Sequence, residues 1–273
     1  MITRAEYSTV PAGQELAAGL AAQILLLAGL GALAGLGPAG WLTGSVFGAA
    51  LWALLTSATR RSRSSTLGPA DLVTLARAVL VGGVAALVVD RAGTAQPVAL
   101  FVTLASVALV LDGVDGQVAR RTGTTSALGA RFDMEVDAFL ILVLSVQVAL
   151  AHGLWVLAIG AMRYAFVAAA WAMPWLGGAL PPSFARKTVA ALQGIVLVVA
   201  ASGVLPLVVT VVVTACALAL LTWSFGRDVH WLWRHRQARA SDRFAQASSI
   251  QVNGIAPNTF PSVLSEASDR QSS

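Results

Sequence analysis

Apolar residues fill this chain in blocks far longer than a soluble fold requires, and charged residues punctuate them. From Leu16 to Thr59, 44 consecutive residues carry no charge. A single membrane crossing needs roughly 20 apolar residues. The run therefore predicts two helices, near 16–36 and 41–58, parted by the turn signal Gly37-Pro38-Ala39-Gly40. Further mostly apolar runs cover 72–90, 95–112, 127–151 and 154–176. The run 188–226 holds 39 uncharged residues and breaks at Ala201-Ser202-Gly203-Val204-Leu205-Pro206 into two more helices. The pattern predicts an all-α, polytopic membrane protein with eight transmembrane helices. A cleaved signal peptide is the rival for the first run. Its leader sets Arg4 against Glu6 and Glu15, and the apolar stretch exceeds a signal core, so a membrane helix is the better reading.

Composition narrows the function classes. Of 273 residues, 57% are hydrophobic and 11% charged, with a mean hydropathy of +0.75. Average soluble domains are about a quarter charged. An ordinary soluble domain, a disordered chain and a nucleic-acid binder are therefore excluded, and no nucleic-acid partner is expected. Cys216 is the single cysteine, which precludes an intramolecular disulfide, and no Cys/His cluster suggests zinc. Lys+Arg number 18 and Asp+Glu 13, a net charge of +5 that bears first on topology. An N-terminus inside places Arg60, Arg61, Arg63, Arg120, Arg121, Arg131, Arg186 and Lys187 on one side. The C-terminal arginines from Arg227 onward join them, and Arg91 alone remains outside. Both termini are thus expected on the cytoplasmic side of the cell membrane. Trp231 and Trp233, set among Arg and His, read as an interfacial anchor at the end of the last helix. From Ala240 onward the chain is Ser-rich and reads as a disordered tail.

Acidic residues are expensive in or near a bilayer, so those present need a reason. Five of the 13 lie between positions 112 and 137. Asp112 and Asp115 are three apart and share a helix face; Asp133 and Asp137 are four apart and share another. The pairs fall on consecutive helices joined by a short Gly-containing turn, so a hairpin can gather all four carboxylates. Hard divalent cations relieve their repulsion, and oxygen-only ligands suit Mg²⁺ or Mn²⁺. Two metals bridged by carboxylates form a common clamp for displacement at phosphorus. Gly116 and Gly129 admit close approach of a substrate, and Arg120 suits a phosphate. Glu135 falls off the face of the aspartates and is left outside the site.

The full string is D-x2-D-G-x2-A-R-x8-G-x3-D-x3-D. It is carried by Asp112, Asp115, Gly116, Ala119, Arg120, Gly129, Asp133 and Asp137. It resembles the signature of the CDP-alcohol phosphotransferases, integral membrane enzymes that make phospholipid headgroups. The resemblance implies a six-helix catalytic core, within residues 66–239, opening to the cytoplasm. Residues 1–65 then form an accessory transmembrane hairpin with a basic linker, and 240–273 the tail. By the family pattern Asp112, Asp115 and Asp133 hold one metal, and Asp112, Asp133 and Asp137 hold or border a second. Asp137 is the implied general base. Gly116, Ala119, Arg120 and Gly129 are implied to bind the nucleotide donor.

A second segment, Pro69-Ala70-Asp71-Leu72-Val73-Thr74-Leu75-Ala76-Arg77, resembles the family's P-N-x2-T-x2-R, with Asp71 in place of the usual Asn and the Pro one residue early. Asp71 and Thr74 are implied donor ligands and Arg77 an implied partner of a nearby carboxylate; helix N-capping is an equal reading for Asp71. Arg163 lies inside an uncharged helix, where arginine is paired or faces a cavity. Arg186 and Lys187 begin the next helix, where relatives carry basic residues that meet a phosphorylated acceptor. A positive-inside loop is the plain alternative there.

The implied reaction moves the phosphatidyl group of CDP-diacylglycerol to a small alcohol acceptor with release of CMP. Glycerol 3-phosphate and inositol phosphate are favoured because of Arg163, Arg186 and Lys187. Other pairings of CDP-alcohol and lipid acceptor occur in the family. An Asp-lined cation transporter is the alternative of another class, but such a protein places carboxylates at the bilayer midplane on broken helices. Membrane lipids are the expected surroundings, and the resemblance implies a homodimer.

Overall fold

The computed structural model describes the backbone of residues 12–62, 69–122, 127–178, 180–181 and 183–253. Side chains are described for the same residues except 12, 58–62, 69, 70, 115–122, 127, 128 and 237–253. The chain forms α1 (Ala12–Ala34), α2 (Pro38–Ser62), α3 (Pro69–Asp90), α4 (Val98–Thr122), α5 (Ala127–His152), α6 (Leu157–Ala172), α7 (Phe184–Ala201) and α8 (Leu207–Asn253). Seven of the described helical segments are long and apolar enough to cross a membrane, and an eighth, Val98–Val114, is apolar but shorter. No strand occurs among the described residues. This is the all-α polytopic architecture that the hydropathy pattern predicts.

Two boundaries differ from expectation. The apolar run 154–176 is not one helix. It opens with a 3₁₀ turn at Leu154–Val156, and α6 ends at Ala172 before a second 3₁₀ turn at Pro174–Gly177. Pro174 cannot continue the helical hydrogen bonding and disfavours helix at the residue before it. The last helix also runs on to Asn253, so residues 240–253 are helical where a tail was expected from Ala240. No Gly or Pro interrupts the sequence between Arg227 and Asn253, and Gly254 follows. Near the end of the described side chains Arg227 and Arg236 lie over the rings of Trp223 and Trp233, at 5.1 and 5.0 Å, an aromatic and basic collar suited to a headgroup region.

α3 is the central post. It packs against α1, α2, α4 and α5. Its residues from Val81 to Val88 are buried throughout, as expected of a helix apolar on all sides. Small residues make this possible, since helices meet closely where side chains are short. At Gly82 an added Cβ would sit 2.6 Å from Phe47 of α2 and 2.8 Å from Gln23 of α1. The α1–α2 hairpin is tied down at the far end of α3. Asp90 accepts from the amide of Gly40 at 3.1 Å, in the first turn of α2. Its neighbour Arg91 donates to the carbonyls of Ala34 and Gly35, where α1 ends. Two adjacent side chains thus meet orphaned backbone groups at both inner helix ends of the hairpin.

α5 is the second post, contacting α3, α6 and α7, and α8 pairs with α7. α6 leans on α5 and meets α8 only sparingly, through contacts that include an edge-on pair of Phe166 and Phe225 at 5.5 Å. That divergence leaves a cavity between α6 and the α7–α8 pair.

Candidate functional site

Three helices bring the first set of site residues together. On α3, Asp71, Thr74 and Arg77 recur every third residue and so lie along one side. Thr74 is buried, Asp71 is half-buried and both are engaged in contacts. Arg77 is wholly buried and reaches two helices at once. One terminal nitrogen donates to Asp112 Oδ1 on α4. The other donates to Asp133 Oδ1 and to the Asp133 carbonyl, the latter at 2.9 Å, on α5. The guanidinium is planar with fixed donors, which suits it to join two carboxylates where an ammonium would meet one. The expected carboxylate partner of Arg77 is therefore a pair of partners.

This contact brings Asp112 and Asp133 side by side from consecutive helices, as their spacing predicts. Asp137 lies one turn further along α5. Asp115, Gly116, Ala119 and Arg120 fall within α4, but their side chains lie outside the described residues. Gly129 stands in the first turn of α5, half-buried and in contact. Among the described residues no three His, Cys, Asp or Glu side chains form a metal-binding group. The available donors nevertheless suit a hard divalent cation. They are carboxylate oxygens only, and Arg77 engages one oxygen each of Asp112 and Asp133.

The second set lines the cavity, which has a volume of about 470 Å³. Asp137 from α5, Arg163 from α6, and Arg186 and Lys187 from α7 all border it. The sequence places these four residues on three separate helices, and the fold gives them one shared space. Aliphatic and aromatic groups, among them Ile141, Phe166, Leu221 and Phe225, make the rest of the wall largely apolar. Gly160 lets α6 approach α5 here; a Cβ would stand 2.5 Å from the Leu142 backbone.

Acidic partners hold two of the three cations. Arg163 donates to Glu135 at 2.5 Å, across from α6 to α5. Arg186 lies 3.4 Å from Asp228 on α8 and donates to the Pro181 carbonyl. Asp228 also lies 3.9 Å from Arg227. Glu135, which helix spacing puts off the face of the aspartates, thus borders the site by way of Arg163. Gln193, Ser224 and Asp228 also line the cavity. Each carried a signal. Gln193 is a polar residue inside an apolar run, and Ser224 and Asp228 are four apart on the face of a membrane helix.

A family model described as CDP-alcohol phosphatidyltransferase matches residues 67–223, more than half of the chain. The matched range takes in α3 to α7, the first part of α8 and all the residues of both sets except Ser224 and Asp228; α1 and α2 lie outside it. No curated protein and no solved structure matches the chain.

Proposed function

The chain belongs to the CDP-alcohol phosphatidyltransferase family, and from that premise we propose that it moves the phosphatidyl group of CDP-diacylglycerol to a phosphorylated polyol. Members of the family transfer a phosphatidyl group from a CDP-linked donor to an acceptor. The observation that carries the finer reading is the shared cavity. A carboxylate, Asp137, borders the same space as Arg163, Arg186 and Lys187. A base beside three cations suits an acceptor with a hydroxyl at one end and a phosphate at the other, such as glycerol 3-phosphate or an inositol phosphate.

The donor diphosphate belongs by the cluster of Asp112, Asp115 and Asp133, with Asp71, Thr74, Gly116, Ala119, Arg120 and Gly129 around the nucleotide. Asp112, Asp115, Asp133 and Asp137 would hold Mg²⁺ or Mn²⁺, which supplies neutralisation of the diphosphate and of the departing CMP. Arg77 fixes the spacing of Asp112 and Asp133, and so pre-organises that cluster. Arg163, Arg186 and Lys187 hold the acceptor phosphate, with Glu135 orienting Arg163 and Asp228 orienting Arg186. Asp137 takes the proton of the acceptor hydroxyl. The freed oxygen bonds to the phosphorus that carries the lipid, the bond from that phosphorus to CMP breaks, and CMP leaves with the electron pair. The apolar wall excludes water, which otherwise competes as acceptor. By the positive-inside argument the site faces the cytoplasm, with both termini on that side.

The test is CMP release by the purified full chain, given CDP-diacylglycerol, Mg²⁺ or Mn²⁺, and one acceptor at a time. The panel is glycerol 3-phosphate, inositol 1-phosphate, serine and inositol. Release with a phosphorylated acceptor and not with serine or inositol is expected. Release with an uncharged acceptor alone would overturn the assignment of the three cations.

A further inference from the structure

The inner wall of the cavity carries polar groups that neither the ion pairs nor the proton transfer uses. Gln193 is 2% exposed and sits two turns beyond Arg186 on α7. Its Nε2 donates to the carbonyl of Ala217 on α8 at 2.9 Å. Its Oε1 is buried and has no hydrogen-bond partner. Exchanging the amide oxygen and nitrogen would set one carbonyl-type oxygen against another, so the Ala217 contact decides which atom is left over. Ser224 enters the same cavity from α8, 4% exposed, and makes no hydrogen bond among the described residues. A buried acceptor without a donor is rare in a folded protein and calls for an explanation. Here the residue that carries it, Gln193, lines a space large enough for a polyol.

We propose that Gln193 Oε1 and Ser224 Oγ form a hydroxyl subsite. They bind a second hydroxyl of the acceptor, one that is not transferred, while Asp137 takes the proton of the first. The proposal rests on the acceptor reading above and narrows it. The substrate is a polyol phosphate, and a phosphate bearing only the reacting hydroxyl is discriminated against. The physical reason is the apolar surround of Ile141, Leu221 and Phe225. An acceptor lacking the second hydroxyl drives out whatever water sits there and leaves the Gln193 oxygen unpaired, and sites built to bind a substrate hydroxyl reject analogues that lack it. Ser224 both donates and accepts, so it relays the hydrogen bond where one hydroxyl does not reach both groups.

The experiment measures binding by titration calorimetry to the full chain in lipid nanodiscs, with two matched pairs. Glycerol 3-phosphate is compared with 3-hydroxypropyl phosphate, and inositol 1-phosphate with 2-hydroxycyclohexyl phosphate. In at least one pair the polyol is expected to bind about tenfold more tightly, the worth of one good hydrogen bond in a dry site. Gln193→Met is expected to erase that preference while leaving the affinity of the deoxy partner within about twofold; Ser224→Ala is expected to reduce it. The wild-type comparison stands even if Gln193→Met fails to fold for want of the Ala217 contact. Equal affinity within both pairs would mean that water satisfies Gln193, and would overturn the subsite. So would an absence of binding by every polyol phosphate, or a preference that survives both substitutions in folded protein. CMP release in the same samples separates the two readings. A binding preference without release keeps the subsite and removes the transfer reading; release without preference does the reverse.

Discussion

Replacing Arg77 with methionine deprives two aspartates of their shared counter-ion. The arginine side chain is wholly buried, whereas those of Asp112 and Asp133 keep 38% and 37% of their surface. Removing one partner of a buried pair costs about 3–5 kcal/mol when the orphaned charge stays dry. Here the orphaned carboxylates reach solvent, so the loss falls at the low end, about 3 kcal/mol. A double-mutant cycle with Asp112→Asn isolates the share that belongs to the Arg77–Asp112 contact, and a coupling of about 2 kcal/mol is expected for groups in direct contact. The assay is equilibrium unfolding of the purified protein in mixed micelles, followed by circular dichroism, for wild type, both single variants and the double variant. Arg77→Lys keeps the charge, but its compact ammonium cannot serve both carboxylates in the same planar fork, so it recovers only part of the loss. Additive losses, with coupling under about 0.5 kcal/mol, would refute the claim that Arg77 ties α3 to α4.

Other substitutions probe the cavity and the helix contacts separately. Arg163→Met is expected to raise the acceptor KM at least about tenfold, the loss of one charged contact to phosphate, with a smaller effect on kcat; steady-state kinetics of CMP release checks the split. Gly160→Ala drives a methyl into the Leu142 backbone and should destabilise by about 1–3 kcal/mol, read from the same unfolding assay, while narrowing the cavity it lines. Asp90→Ala leaves the Gly40 amide without its partner and removes the ion pair with Arg91, and should cost about 1 kcal/mol of stability without moving the acceptor KM.

The crossings are legible in the sequence because lipid imposes a rule that water does not. Each span must be nearly free of charge, so charge-free runs mark the helices before any tertiary contact is known. Departures arise where local backbone chemistry intervenes, as at Pro174, or where a polar segment still has good helix formers, as in the extension of α8 to Asn253. The approach of Asp112 to Asp133 is also legible, since helix spacing and a short connection bring those faces together. Glu135 is different. Helix phase tells which side of α5 it occupies but not that α6 sets Arg163 opposite it. The same limit applies to Asp228 and Arg186, and to Gln193 and Ala217. Both pairs depend on how α7 docks on α8, and no local spacing encodes that. Arg77 lies between these cases, because a carboxylate partner is implied by the family resemblance of its segment while the sharing of one guanidinium between two helices is not.

In the proposed mechanism Asp137 activates an acceptor bound in the cavity between α6 and the α7–α8 pair. The most direct test of that step follows CMP and lipid product together by mass spectrometry, with CDP-diacylglycerol of defined acyl chains and the acceptor that supports turnover, for wild type and Asp137→Asn reconstituted in nanodiscs. One phosphodiester lipid per CMP is expected in the wild type. A rate at least about a hundredfold lower is expected in a folded Asp137→Asn variant, the usual contribution of a positioned base. A variant that keeps its rate within a few fold, or CMP formed without a lipid product, would contradict that mechanism.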